Sequence, residues 1–319
     1  MKKRLPMTCR TSSLFAWWFL ACGLGIVLKS AGQVVRYDDK RQRLFYCMSN
    51  SAPQFGEVLK RAGLRNCIYF SGRDIDPEQT GTLNKAALKV SVDRLVPDTA
   101  FAGILVLDWE DSLYNRLKFG GNIDDKGFDA AVDEFIRVLR YAKTLRPRAQ
   151  WAYWDIPMSI FWVDVDTLWR RRIDRISPLL KEVDILMPHL YDYFPTGVRS
   201  GREDTAYIVQ ILTKTLEMAV KFQKPVLPFI WHRYSDAIPE TGLKKMDEKE
   251  FLQQLRLMRS VTYKRKKING VIWWQEDLYF LNISAPNITK EMEGIERDKY
   301  RDDVLLKYWS LARQVFLDE

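Results

Sequence analysis

Apolar runs alternate with amphipathic segments along most of the chain after residue 42. Seven runs that are rich in β-branched and aromatic residues predict β-strands, at residues 43–49, 66–71, 102–110, 150–157, 183–192, 224–234 and 268–276. Segments with apolar residues at helical spacing predict helices, at residues 53–63, 84–95, 127–145, 165–181, 204–222, 247–264 and 301–317. The chain therefore repeats a strand–helix unit with little interruption.

This repetition identifies the fold class as α/β. Continuous apolar strands that alternate with helices are typical of a parallel sheet that is buried on both faces. Seven such units in one rhythm favour a closed parallel (β/α) barrel, a distorted TIM-type barrel of seven or eight strands. The alternative, an open doubly wound sheet, is disfavoured because no glycine-rich phosphate loop follows any predicted strand. Residues 33–319 are expected to form this single domain.

Residues 1–32 form a separate N-terminal segment. Residues 1–10 contain four basic and no acidic residues, and residues 14–28 (LFAWWFLACGLGIVL) are apolar residues and glycines without interruption. A basic stretch followed by an apolar stretch of this length predicts a signal peptide that is cleaved before Gln33. An uncleaved membrane anchor is the alternative. Either alternative predicts a secreted or extracytoplasmic domain, with membrane contact only through this segment.

Charge and cysteine content add modest constraints. The formal net charge of +9 includes five basic and no acidic residues from residues 1–32, so +4 remains for residues 33–319. This mild excess is compatible with a polyanionic substrate, and no nucleic-acid-binding motif accompanies it. Cys47 and Cys67 are the two cysteines after residue 32. They either form a disulfide in an oxidising compartment or are two separate buried thiols.

The predicted strands end in polar and aromatic residues, and these ends form the active-site face of a (β/α) barrel. Aromatic side chains beside carboxylates suit sugars, whose C–H faces stack on rings while their hydroxyl groups form hydrogen bonds. The strand-end residues are Asp108, Glu110, Tyr153, Trp154, Asp155, His189, Tyr191, Trp231, His232, Arg233, Trp273 and Trp274.

Asp108 and Glu110 are the strongest catalytic candidates among these residues. They are two residues apart on a strand, so both side chains point to one face with Cα atoms about 6–7 Å apart. Two carboxyl groups this close repel when both ionise, which raises the pKa of one of them. A protonated acid beside an ionised partner is what glycosidic bond cleavage requires. A structural alternative is that the acids cap the following loop or helix.

Two further interpretations use the same strand ends. His189 and His232 are the only histidines and, with Asp108 and Glu110, they could form the site of a metal-dependent hydrolase. No H-x-H or H-E-x-x-H spacing supports this interpretation. The other alternative is a glycan-binding barrel without catalysis, which would use the aromatic residues for recognition alone.

The motifs around the acid pair resemble the hyaluronidase family of glycoside hydrolases. "FAGILVLDWE" (101–110) is similar to the family's Phe-x-Gly, four further residues and Asp-x-Glu on the third barrel strand. "FDAAVDEFIRVLRYAKTLRPRAQWAYWDIP" (128–157) is similar to its aromatic-rich helix, Leu-Arg-Pro and Trp-Gly-Tyr-Tyr. "MPHLY" (187–191), "FIWHRY" (229–234) and "GVIWW" (270–274) are similar to its Pro-x-x-Tyr, Val-Tyr-Thr-Arg and Gly-Val-x-x-Trp.

The resemblance implies a retaining, substrate-assisted cleavage of a polysaccharide that contains N-acetylhexosamine, without metal or cofactor. Glu110 would protonate the glycosidic oxygen and later activate water. The 2-acetamido carbonyl of the substrate would attack the anomeric carbon, while Asp108 and Tyr191 hold that amide. Substrate-binding residues would be Tyr153, Trp154, Asp155, Trp231, Arg233 and Trp274.

The sequence also departs from the family pattern. The family's Trp-Arg-Pro after the acid pair is absent, Trp231 replaces a tyrosine, and no cysteine follows Cys67. These departures leave the identity of the polymer open. Chitinase-like barrels share a similar Asp-Trp-Glu, but they place further aspartates where this chain has Leu105 and Leu107.

Overall fold

The computed structural model describes residues 43–47, 65–120, 126–161, 167–198, 204–274, 280 and 285–317. The strands are β1 (Arg43–Cys47), β2 (Arg65–Ser71), β3 (Ile104–Asp108), β4 (Gln150–Tyr153), β5 (Phe229–Ile230) and β6 (Gly270–Trp274). The helices are α1 (Gly72–Ile75), α2 (Lys85–Leu95), α3 (Ser112–Phe119), α4 (Lys126–Leu145), α5 (Thr167–Arg175), α6 (Ser177–Glu182), α7 (Asp204–Phe222), α8 (Glu248–Ser260), α9 (Pro286–Glu291) and α10 (Arg297–Phe316). The predicted segment 1–32 and the predicted helix 53–63 lie outside the described residues.

The strands form one parallel sheet in the order β4-β3-β2-β1-β6-β5. Residues 184–190 connect its two edges. The backbone N–H of Asp184 donates to Trp151 O of β4 at 2.9 Å, and Leu190 N–H donates to Phe229 O of β5 at 2.8 Å. The extended segment thus occupies a seventh position and closes the ring. This confirms the prediction of a distorted parallel (β/α) barrel.

Prolines explain why two predicted strands are short or irregular. Residues 183–192 form only isolated bridges, because Pro188 has no N–H to donate and Met187 N–H turns to Ile156 O instead. Residues 224–234 contain Pro225 and Pro228, and only Phe229–Ile230 is a regular strand. The predicted helix 165–181 similarly divides into α5 and α6 beside Pro178.

The alternation of side chains along β3 separates two apolar clusters. Leu105 and Leu107 pack outward among the helices, whereas Ile104 and Val106 pack inside the barrel. The same alternation continues beyond the strand. Trp109 is buried in the outer cluster, where its ring stacks on Phe135 with centroids 5.2 Å apart. The even-numbered residues of this segment point inward, and the inner cluster ends where they reach the mouth of the barrel.

Cys47 and Cys67 lie opposite each other in β1 and β2, inside the barrel. Both are buried thiols rather than a disulfide, which favours the second of the two sequence alternatives. Burial raises the pKa of the Cys67 thiol, so the reactive thiolate form is disfavoured.

Among the helices that the structure describes, none combines the length and the apolar character needed to cross a membrane.

Candidate active site

Asp108 and Glu110 lie at the mouth of the barrel, as the spacing predicts. Asp108 is the last residue of β3, and Glu110 follows two positions later. Both line a cleft of about 1710 Å³ over the carboxyl ends of the strands. The next acid has a structural role: Asp111 Oδ1 accepts the N–H groups of Leu113 and Tyr114 at 2.8 and 3.0 Å and caps α3.

Asp108 is held from one side only. The hydroxyl of Tyr69 donates to Asp108 Oδ2 at 2.6 Å. The other oxygen, Oδ1, is buried and has no hydrogen-bond partner among the described residues. Burial raises the pKa of Asp108 to about 6, the hydrogen bond from Tyr69 opposes this increase, and the charge of Asp155 adds to it. Asp108 therefore keeps one buried acceptor oxygen unfilled among the described residues.

Glu110 is the more basic carboxyl group of the pair. Its side chain is open to solvent at the cleft, but the surrounding walls remove part of its hydration. This loss of hydration raises the pKa of Glu110 to about 8, and the charges of Asp108 and Asp155 add to the increase, while Lys118 opposes it. The two carboxyl groups titrate as a pair, in which Glu110 holds its proton to higher pH than Asp108.

Aromatic side chains form the wall of the cleft beside this pair. Trp154, Tyr191, Trp231 and Trp274 all line the cleft, as predicted. The Trp154 indole N–H donates to the Tyr191 hydroxyl at 3.4 Å, which leaves the Tyr191 proton available to a ligand. Trp231 packs against Tyr191 with ring centroids 5.5 Å apart. Its Nε1 is buried and has no hydrogen-bond partner among the described residues.

Beneath the cleft, Asp155 is the centre of a saturated network. Lys118 Nζ and the Tyr114 hydroxyl donate to Asp155 Oδ2 at 2.8 and 2.6 Å, and Ser159 N–H donates to Oδ1 at 2.8 Å. Burial raises the pKa of Asp155, but the interactions of its carboxylate with His189 and with the Lys118 ammonium group outweigh burial and hold the pKa well below its usual range. The backbone of Asp155 is left-handed, with φ 50°, which asparagine and aspartate tolerate best after glycine.

His189 connects this network to the aromatic wall. Its Nδ1 lies 2.8 Å from Asp155 Oδ1, and its ring stacks on Trp154 with centroids 5.0 Å apart and planes 10° from parallel. Burial lowers the pKa of His189, and the charge of Asp155 only partly compensates. We therefore assign a neutral imidazole that orients Trp154, which in turn contacts Tyr191.

Three of the predicted substrate-binding residues do not line the cleft, because their side chains are buried and bonded elsewhere. Tyr153 points away from the barrel interior and donates to Phe135 O at 2.9 Å. Arg233 is fully buried and donates to Leu243 O and Glu291 at 2.6 and 2.9 Å. Asp155 is fully buried in its network. The alternation along each strand places these residues one layer away from the cleft surface.

The proposed two-histidine metal site does not form. His232 is fully buried in the outer layer, where the Trp273 indole N–H donates to its Nδ1 at 3.2 Å. His189 faces Asp155 instead. Within the described ranges, no three His, Cys, Asp or Glu side chains converge to hold a metal ion.

Sequence reasoning missed Tyr69, Tyr114 and Lys118. Tyr114 and Lys118 are four residues apart on α3, so they share one helical face. A lysine on the apolar face of a short helix was the one available signal, because a buried lysine requires an ionised partner. Its partner is 37 residues distant in sequence, and no local pattern identifies it.

The fold and the site together define a parallel (β/α) barrel with an acidic and aromatic cleft at its mouth. No protein-family model and no curated protein sequence matches the chain. Among solved structures, the chain is similar to bee venom hyaluronidase in a monoclinic crystal form, with a TM-score of 0.61, 16% identity and coverage of 86% of this chain and 99% of that one. The bee venom hyaluronidase complex with a hyaluronic acid tetramer gives a TM-score of 0.60, 16% identity and coverage of 86% and 100%. At this identity, the similarity establishes the fold alone.

Proposed function

We propose that this protein is a secreted glycoside hydrolase that cleaves a polysaccharide containing N-acetylhexosamine. The observation that carries the proposal is the acid pair at the mouth of the cleft, where Asp108 ends β3, Glu110 follows two positions later and the pKa of Glu110 is raised above that of Asp108. The barrel shared with bee venom hyaluronidase, whose structure also holds a hyaluronic acid tetramer, supports a polysaccharide as the ligand.

The proposed mechanism is retaining and substrate-assisted. Glu110 donates its proton to the glycosidic oxygen while the bond from that oxygen to the anomeric carbon breaks. The carbonyl oxygen of the substrate's 2-acetamido group forms the new bond to the anomeric carbon, which gives a cyclic cationic intermediate. Water then attacks the same carbon, Glu110 removes a proton from the water, and the ring of the intermediate reopens.

Asp108 and Tyr191 position the acetamido group in this mechanism. The unpartnered Oδ1 of Asp108 accepts the amide N–H, and its negative charge stabilises the intermediate. The Tyr191 hydroxyl donates a hydrogen bond to the amide oxygen and orients it for attack. Trp231 and Trp274 form the wall against which the sugar ring stacks, since both line the cleft next to this position.

The test measures new reducing ends released from hyaluronan, chondroitin and chito-oligosaccharides. Replacing Glu110 by glutamine is expected to lower kcat by at least about 10³-fold, because the variant cannot donate a proton. Glu78→Gln is the matched control, since Glu78 is exposed and lies outside the cleft lining. Binding without cleavage by the wild type would refute hydrolysis and favour a glycan-binding barrel. Loss of activity with EDTA would refute the metal-free mechanism.

A further inference from the structure

The charges that line the cleft differ in sign from the charge of the whole chain. The chain has a formal net charge of +9. Among the described residues that line the cleft, however, carboxyl groups outnumber cationic side chains by six to three. The carboxyl groups belong to Asp74, Asp76, Asp108, Glu110, Asp111 and Asp236. The cationic side chains belong to Arg73, Arg94 and Lys118.

Two of the three cations of the lining, Lys118 and Arg94, have a carboxylate beside them. Lys118 Nζ lies 2.8 Å from Asp155 Oδ2, and both side chains are almost fully buried. Arg94 Nη2 lies 3.6 Å from Asp74 Oδ1, and Arg73 is the chain neighbour of Asp74. Two of the three positive charges of the cleft are therefore compensated within the protein, whereas Asp108 and Asp236 form no ion pair with any residue that the structure describes.

The carboxylates also raise the pKa of Glu110, the proposed proton donor. Burial raises the pKa of Glu110 first, and Asp108, Asp155 and Asp236 each raise it further. Three separate negative side chains are thus close enough to oppose a further negative charge at this position. Walls of low dielectric constant concentrate such a field within a cleft.

The unsatisfied polar atoms in the cleft suit a ligand without charge. Trp231 is 2% exposed, lines the cleft and presents a neutral N–H donor without a partner among the described residues. The hydroxyl and acetamide oxygens of a sugar accept a hydrogen bond from such a donor. Asp108 Oδ1 is an unpartnered acceptor in the same cleft. The N–H of an amide or the O–H of a hydroxyl group can donate to it. These two unfilled hydrogen-bonding positions of the protein match the acceptors and donors of a neutral sugar.

We propose that the cleft selects an uncharged N-acetylhexosamine polymer and disfavours a polyanionic one such as hyaluronan. This inference rests on the proposed function, because it concerns the substrate class of the same cleft. The mildly basic surface attracts a polyanion to the molecule as a whole, but every uronate carboxylate that enters the cleft meets carboxylates there.

The experiment compares two oligosaccharides that differ only in charge. A hyaluronan oligosaccharide is used in its native form and after chemical reduction of its uronate carboxyl groups to neutral alcohols. Binding of both forms to Glu110→Gln is measured by calorimetry at low salt and at about 0.15 M salt. The reduced form is expected to bind at least about tenfold more tightly at low salt, and the ratio is expected to contract as salt screens the cleft.

A charge variant locates the effect. Adding Asp236→Asn is expected to increase the affinity for the native form about two- to fivefold more than the affinity for the reduced form. Glu240→Gln removes a charge from an exposed position of the same segment, outside the cleft lining, and is expected to change neither. An unchanged ratio in Asp236→Asn would place any discrimination outside the cleft and would overturn the proposal.

The remaining outcomes separate this inference from the proposed function. Equal or tighter binding of the native form, or no binding of the reduced form, would overturn the charge selectivity. Cleavage is then measured with the wild-type protein and both oligosaccharides. If neither is cleaved while the binding ratio is as expected, hydrolysis is refuted and the selectivity stands. If native hyaluronan is cleaved in preference, hydrolysis stands and the selectivity is refuted.

Discussion

Asp108 and Asp155 are both carboxylates near the ends of neighbouring strands, yet their environments are opposite. Asp108 accepts one side-chain hydrogen bond, from Tyr69, and keeps one buried oxygen without a partner among the described residues. Asp155 accepts donors on both oxygens, including the ammonium group of Lys118 and the hydroxyl of Tyr114. The pKa of Asp108 is raised to about 6, whereas that of Asp155 is held below its usual range.

The difference shows how one barrel mouth separates a carboxylate with an unfilled acceptor oxygen from one whose acceptor oxygens are both filled. A carboxylate whose acceptor sites are filled contributes to stability and has no capacity left for a substrate. A buried carboxylate with an open acceptor destabilises the folded state unless a ligand compensates it. The protein therefore maintains an unfavourable environment around Asp108, where the proposed chemistry needs it. One strand away, the environment of Asp155 is favourable.

Replacing Asp108 by asparagine is the sharpest test of this comparison. We expect kcat to fall about 100-fold or more, because the variant lacks the negative charge that stabilises the proposed intermediate. Stability at neutral pH is expected to stay the same or increase, because the raised pKa means that the ionised form is disfavoured in the folded protein. Reducing-end assays and thermal unfolding measure the two effects.

The control for this variant is Asp133→Asn, which changes an exposed aspartate of α4 outside the cleft. It should change neither activity nor the melting temperature. A large loss of stability in Asp108→Asn would contradict the comparison, since it would show that Asp108 is a structural carboxylate like Asp155.

Replacing Asp155 by asparagine should produce the opposite result. The variant leaves the Lys118 ammonium group buried without an ionised partner, and we expect a loss of about 3–5 kcal/mol in the free energy of unfolding. Denaturant unfolding measures this loss. The double variant Asp155→Asn, Lys118→Met should recover part of it because the orphaned charge is removed. If the double variant is less stable than the single one, the ion pair is not the source of the loss.

The contrast between these two aspartates also marks what could be predicted from sequence. The pattern of residues 102–110 places Asp108 and Glu110 on one face, since a strand alternates with a period of two. That local rule identified the acid pair. Sequence reasoning also treated Asp155 and Arg233 as substrate contacts, because both lie near the ends of predicted strands. Their true partners are Lys118 and Glu291, which are 37 and 58 residues distant in sequence.

The barrel itself was predictable for a different reason. Its rhythm of strands and helices depends on local patterns, so the parallel architecture could be inferred before any contact was known. The irregular closing segment was less predictable. Pro188 and Pro228 are visible in the sequence, but the loss of regular pairing depends on which carbonyl groups the neighbouring N–H groups reach, such as Met187 N–H to Ile156 O.

The pH dependence of activity should follow the two raised pKa values. Activity is expected to rise as Asp108 ionises near pH 6 and to fall as Glu110 loses its proton near pH 8. Because the two groups interact, these limbs belong to the pair rather than to either residue alone. A profile of kcat/KM against pH tests this expectation with the soluble oligosaccharide. A maximum below pH 5 would contradict it, since Glu110 and Asp108 would then share similar, ordinary pKa values.

The smallest expected effect concerns Asp236, whose negative charge contributes least to the raised pKa of Glu110. Burial and the charges of Asp108 and Asp155 raise the pKa of Glu110 most, and Asp236 adds the smallest increase. Asp236→Asn should therefore move the alkaline limb of the pH profile to lower pH by a fraction of a unit. Salt should reduce the difference, because Asp236 is exposed and its charge is screened. Glu240→Gln should leave the alkaline limb in place. A shift toward higher pH in Asp236→Asn, or an equal shift in both variants, would show that the raised pKa of Glu110 does not depend on the charge of Asp236.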